Sequence, residues 1–204
     1  MASSLAPPSH APNAAVASDA SPADLLAARR STNPDALVSP GPSNDEIARL
    51  IGIALRVPDH GRLAPWRLVL IAGEAKARWI DRLMMLAEQR ADAPKARVGT
   101  RKLASAPLVV AVISSAIAGH KVPEWEQALS AGAVAMNLLN GAAALGYGAN
   151  WLTGWHAYDE QATRLLGLAD HEKVAGIVLI GSVAERAPER ERADPAQVVS
   201  WLEA

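Results

Sequence analysis

The amino-acid sequence predicts a three-layer sandwich of the α/β or α+β class, and three observations carry that expectation. Short runs rich in Val, Ile and Leu alternate with segments whose apolar residues recur at the helical period. Strands separated by helices in this way build a sheet covered by helices. The helical segments outnumber the strands, and the longest, 124–145, is so rich in small and apolar residues that no face of it reads as exposed. Its burial calls for a second subunit.

The folded region starts at Ser21-Pro22, where Ser21 caps a short helix and Pro22 occupies a position that needs no N–H. Leu25 and Leu26 carry that helix into Arg29-Arg30. Residues 31–42 hold three prolines and a glycine and read as an irregular connection. Ser43 and Glu46 form a capping box for a helix with Ile47, Leu50, Ile51, Ala54 and Leu55 on one face, ended by Pro58. Residues 66–72 are the first strand. A helix follows over 74–91, with Trp79, Ile80, Leu83, Met84 and Ala87 on one side, then a second over 95–104 after the break at Pro94. Residues 108–114 form a buried strand by their branched composition. The long helix 124–145 ends at Gly146, a natural C-terminal cap. A strand over 149–153, a helix over 159–166 and a last core strand over 174–183 complete the fold. The chain then turns charged and proline-containing, and finishes in an apolar patch, 198–202.

Composition narrows the function classes. The 204 residues suffice for one domain with a sizeable core plus a tail: a disordered N-terminal extension over 1–20 and a single domain over 21–204. Half the residues are apolar, and 20 basic residues face 21 acidic ones, so there is no basic footprint for nucleic acid. Cysteine is absent, which removes disulfides, thiolate metal sites and thiol nucleophiles. The Ala-, Ser- and Pro-rich start lacks the basic and apolar regions of a signal peptide. No segment is apolar for long enough to span a membrane. The expected location is the cytoplasm.

Four stretches carry candidate chemistry. Arg29, Arg30 and Ser31 either clamp a phosphate through charge-assisted hydrogen bonds or simply complement a helix C-terminus. Arg56-Val57-Pro58-Asp59-His60-Gly61, with Pro65-Trp66, is a stiff loop between helix and strand; His60 is a hydrogen-bond donor for a ligand or a surface histidine. Glu124 and Glu126 open the long helix, where acidic residues suit the dipole and an i, i+2 spacing keeps them from acting as a pair. Gly146-Tyr147-Gly148 leads into Asn150-Trp151-Leu152, but follows a helix and precedes a strand, the reverse of a dinucleotide fold. The histidines are scattered without ligand spacing, so no metal site is expected, and the run 189–192 of alternating Glu and Arg reads as solvated.

In this order, the four stretches resemble the nitroreductase family, and within it the compact YdjA-like subgroup. The resemblance runs from about Ala23 to Val183 and includes Lys121-Val122-Pro123-x-Trp125-Glu126-Gln127 before Ser130-Ala131-Gly132. It implies an α+β sandwich with a central mixed sheet flanked by helices, forming a homodimer with FMN at the shared interface. By position, Arg29, Arg30 and Ser31 are implied to hold the FMN phosphate and ribityl chain. Arg56 and His60 are implied to join the site from the other subunit. Asn150, Trp151 and Leu152 are implied to lie along the cofactor, largely through backbone. The segment Asn140, Gly141, Ala142, Ala143, Ala144, Leu145 corresponds to one assigned to nicotinamide nucleotide binding. Similar proteins tend to carry Arg where this sequence has Leu152, a change that bears on phosphate binding or on substrate choice. The implied chemistry is ping-pong reduction of nitroaromatics, quinones or similar small electrophiles, with NAD(P)H as co-substrate and no catalytic side chain. A flavin-binding protein without turnover, or a flavin-fragmenting or dehalogenating relative, would share these motifs.

Overall fold

The computed structural model describes residues 21–183 and 187–202. The extension expected over 1–20 lies outside the described residues. Four strands, β1 (Trp66–Ala72), β2 (Leu108–Ser114), β3 (Gly148–Leu152) and β4 (Lys173–Gly181), form one sheet in the order β1-β2-β4-β3. On one face lie α2 (Asn44–Ala54) and the long α5 (Glu124–Ala144); on the other lie α3 (Gly73–Glu88), α4 (Ala93–Ser105) and the short α6 (Glu160–Arg164). Two further short helices, α1 (Pro22–Ala28) and α7 (Pro195–Val198), lie toward the ends of the described chain.

The pleat distributes the core between the layers. Along β2, Leu108, Val110 and Val112 face α2 and α5, while Val109, Ala111 and Ile113 face α3 and α4. In β4, Val178 and Ile180 join the first group and Ile177 and Leu179 the second. These two central strands are buried on both faces, which is why they read as continuous apolar runs.

The α+β sandwich is as expected, but the sheet is not mixed: each neighbouring pair of strands is antiparallel. Chain traffic explains the difference. Two helices, α3 and α4, return the chain to the end of the sheet it left, so β2 runs against β1. The single helix α5 carries the chain back across, making β3 parallel in direction to β2, and β4 then inserts between them antiparallel to both. Alternation of strands and helices in sequence does not reveal which strand fills the gap.

Local chemistry sets the boundaries that position the site. Ser21 with Asp24 and Ser43 with Glu46 form complete capping boxes on α1 and α2. At the end of α5, Gly146 (φ 83°) lets Tyr147 N–H reach the Ala142 carbonyl at 2.8 Å while Gly146 N–H reaches Ala143 at 3.1 Å. That Schellman turn launches β3 directly.

A half-buried ion pair ties β1 to the turn before β4. Arg67 Nε and Nη2 donate to the two Glu172 carboxylate oxygens at 2.7 and 2.6 Å, and the Glu172 side chain is only 6% exposed. The hydrogen bonds from Arg67 hold the Glu172 carboxyl at about 2, against the opposing effect of burial. Arg67→Leu would strand that carboxylate. We expect a loss of roughly 2 kcal/mol at neutral pH, discounted because the arginine is partly solvated. Chemical denaturation checks this, and a companion Arg67→Leu/Glu172→Leu chain should recover much of the loss.

Candidate functional site

The segment after α1 is extended and docked along the edge strand β3. Thr32 N–H donates to the Ala149 carbonyl at 2.9 Å, and Asn150 Nδ2 donates to the Thr32 carbonyl at 2.7 Å. Gly148 is required for this approach, because a Cβ there would stand 2.4 Å from Val183 Cγ1 and 2.7 Å from Thr32 Oγ1. The amide of Asn150 is thus spent on holding Arg29, Arg30 and Ser31 at the sheet edge. Ser31 is exposed; the two arginines are half-buried.

The arginines form one side of a cationic cluster. Arg30 pairs with Glu189, whose carboxylate also accepts from Arg192 Nε at 3.1 Å and Arg190 N–H at 2.9 Å. Burial, then the neighbouring Arg192, Arg30 and Arg190 charges, push the Arg29 guanidinium below its ordinary value. Arg29 Nη1 is buried with no hydrogen-bond partner among the described residues. Four guanidiniums thus lie together, and among the described residues Glu189 is the carboxylate that Arg30 and Arg192 reach. A group of two negative charges with several acceptor oxygens, such as a phosphate, fits that imbalance and that orphaned donor. Helix capping does not account for it, since Arg30 reaches a residue 159 positions away.

Beyond Asn150, β3 alternates faces. Trp151 lies on the α5 side, its indole over Gly176 of β4 and its far edge beside Gly132 of α5. It is 38% exposed. Leu152 points the other way, into the core beneath α3 and α4. Leu152 thus serves packing in this chain, on the opposite face from Trp151. A Cβ at Gly176 would fall 1.9 Å from Trp151 Nε1. Gly176→Ala must therefore expel the indole; we expect a loss of about 2 kcal/mol in thermal or chemical unfolding, with a rise in Trp151 solvent quenching.

Arg56 and His60 stand on the far flank of α5. The loop that carries them is stitched to one edge of that helix: Asn137 Nδ2 to the Arg56 carbonyl at 3.0 Å, Ser130 Oγ to the Pro58 carbonyl at 2.7 Å, and His60 Nδ1 to Glu126 Oε2 at 2.7 Å. Trp66 Nε1 donates to the same Ser130 hydroxyl at 3.0 Å. Within the loop, the Asp59 carboxylate accepts Leu63 and Ala64 N–H at 3.0 and 2.8 Å. These bonds hold Arg62 and Ala64 at positive φ, 53° and 45°, where only glycine is ordinarily at ease. The Arg56 guanidinium is exposed and makes no ion pair among the described residues.

Between these flanks α5 presents an apolar face: Trp125, Leu129 and Met136 are 71%, 52% and 38% exposed, with Gly132 and Ala133 among them. In a single copy of the chain, no hydrogen bond or ion pair among the described residues joins the Arg29–Asn150 group to the Arg56–His60 group. Farther along α5, Gly141 and Ala142 are core. A Cβ at Gly141 would meet Leu50 Cδ1 at 2.8 Å, and Leu145 packs on the same cluster. Asn140, Ala143 and Ala144 are less enclosed, and Asn140 Oδ1 is buried without a partner among the described residues.

Sequence reasoning missed Glu126, Ser130 and Asn137 as the hold on this loop, and Arg190 and Arg192 as neighbours of Arg29. The first group had a signal: polar residues at i, i+4 and i+11 share one edge of an otherwise apolar helix. The second had none, because a run of alternating charge carries no mark of a partner far away in sequence.

The model of the Nitroreductase family matches residues 26–182. A protein of Escherichia coli (strain K12) bearing the name "Putative NAD(P)H nitroreductase YdjA" is 30% identical over 160 residues, covering 78% of this chain and 86% of the relative. Among solved structures, a nitroreductase-like family protein from Bacillus cereus superposes with a TM-score of 0.80 at 21% identity, over 93% of this chain and all of the other. A nitroreductase with bound FMN from Bacteroides fragilis gives 0.68 at 19% identity, over 89% and 98% of the two chains.

Proposed function

The chain belongs to the nitroreductase family, and on that premise we propose that it is a cytoplasmic, homodimeric FMN-dependent reductase that uses NAD(P)H. The observation that carries the reading is the cluster of Arg29, Arg30, Arg190 and Arg192, with a buried Arg29 nitrogen lacking a partner among the described residues. Arg29, Arg30 and Ser31 hold the FMN phosphate and ribityl chain. A dianionic phosphate competes with the single Glu189 carboxylate for Arg30 and supplies acceptors for Arg29. Trp151 and the β3 backbone around Asn150 and Leu152 line the cofactor along its length.

The exposed face of α5 supports the dimer. Trp125, Leu129 and Met136 form a contiguous apolar surface whose burial stabilises association, at about 25 cal/mol per Å² removed from water. Arg56 and His60 flank one side of that face and Trp151 the other. Pairing two copies through it brings the loop of one subunit toward the β3 edge of its partner. The site is then completed by both chains and closed to bulk water. Of the 140–145 segment, Asn140, Ala143 and Ala144 are available to a nicotinamide nucleotide.

When bound, FMN supplies hydride acceptance from NAD(P)H and onward reduction of a nitroaromatic, quinone or similar small electrophile in ping-pong order. The protein's part is to fix the phosphate, orient the ring and exclude water; it needs no side chain as acid or base. Titration of apoprotein with FMN, followed by flavin fluorescence and by sedimentation, tests the proposal. Saturable quenching by a dimer supports it. A monomer, or no binding at micromolar protein, sinks it.

A further inference from the structure

We infer that Glu126 is the positioning residue for His60, setting which ring nitrogen the histidine presents to FMN; this rests on the function proposed above. Glu126 lies in the first turn of α5, where a carboxylate has a sufficient role with the helix dipole. Its side chain nevertheless leaves that axis to accept from His60 Nδ1 at 2.7 Å, across 66 positions of sequence. The pair adds little to stability: the side chains are 66% and 44% exposed, and ion pairs in that setting contribute close to nothing. Its effect is on geometry. A carboxylate bonded to Nδ1 keeps the proton on that nitrogen and turns Nε2 outward.

The rest of the loop is held from the same helix edge. Ser130 grips the Pro58 carbonyl and Asn137 the Arg56 carbonyl, so backbone and imidazole are fixed together by residues at i, i+4 and i+11 of α5. Asp59 pins the turn from within. An imidazole bonded at Nδ1 on a loop whose backbone is held from the same helix, exposed beside the apolar face of α5, is preorganised for a ligand that arrives with the second subunit.

A double-mutant cycle on FMN affinity tests this, with the full-length protein and fluorescence titration. We expect His60→Ala and Glu126→Ala each to weaken binding about fivefold, the scale of one hydrogen bond. The double variant should be no weaker than either single one. Glu126→Gln, which keeps an acceptor oxygen for Nδ1–H, should restore affinity to within about twofold, with the Tm of the apoprotein unmoved throughout. Additive losses, or full affinity in Glu126→Ala when His60→Ala is impaired, overturn the positioning role. Full affinity in His60→Ala overturns it too, and leaves the arginine-based function intact. Wild-type protein that fails to bind FMN at all overturns the underlying reading instead.

Discussion

Arg29→Ala is expected to weaken FMN binding by roughly 100-fold while leaving the apoprotein as stable as before, or slightly more so. The two effects have opposite signs for one reason. In the ligand-free chain the Arg29 guanidinium is partly desolvated, faces Arg30, Arg190 and Arg192, and leaves Nη1 without a partner among the described residues. Removing it relieves repulsion and a buried orphan donor. In the presence of a phosphate the same charge makes charge-assisted hydrogen bonds worth about 1.5–3 kcal/mol each, and losing one or two of them gives that fold-change. Arg30→Ala should act in the same direction but less strongly, because Arg30 must first give up Glu189. Flavin titration and a melting curve, run on the same preparations, check both signs. A variant that melts lower and binds FMN normally would show that Arg29 serves the fold.

Acidification is expected to cost the folded chain about 3 kcal/mol between pH 6.5 and 4 through one residue, His156. This histidine sits in the 3₁₀ turn Trp155–Ala157, is 2% exposed, and has both ring nitrogens buried without a partner among the described residues. Burial lowers it from its ordinary 6.5 to about 4. Over that window the unfolded chain takes up a proton that the folded chain refuses. Stability is therefore full above pH 6.5 and falls as the pH drops, levelling below about 4. Glu172 adds a second, lower window: its carboxyl is held near 2 by Arg67, so its contribution is present above 4.5 and lost as the pH falls toward 2. His156→Leu should flatten the upper window and leave the lower one. Urea denaturation at pH 7 and pH 5 measures the difference, and equal pH slopes in the two proteins would refute the assignment.

Strands β1 and β2 were legible residue for residue, since apolar runs closed by proline or glycine admit few other readings. The Ser21 cap, the Ser43–Glu46 capping box and the Gly146 turn were equally local and equally readable. Strand direction was not, because it depends on how many helices separate two strands and on which later strand fills a gap. The same limit governed the site. Arg29 and Arg30 announce a charge, but only the fold reveals that Arg190 and Arg192 gather on it. Leu152, set beside Trp151 in sequence, lies on the opposite face of the sheet and packs into the core. Glu126 carried a complete local explanation, which concealed its partner at His60.

The most direct test of the central claim is anaerobic addition of NADH or NADPH to the FMN-loaded protein, monitored by visible absorbance. The oxidised flavin bands should bleach stoichiometrically with at least one of the two nucleotides and return when a quinone or nitroaromatic is added. Flavin that stays bound and oxidised with both nucleotides would contradict it, leaving a protein that holds FMN without using it.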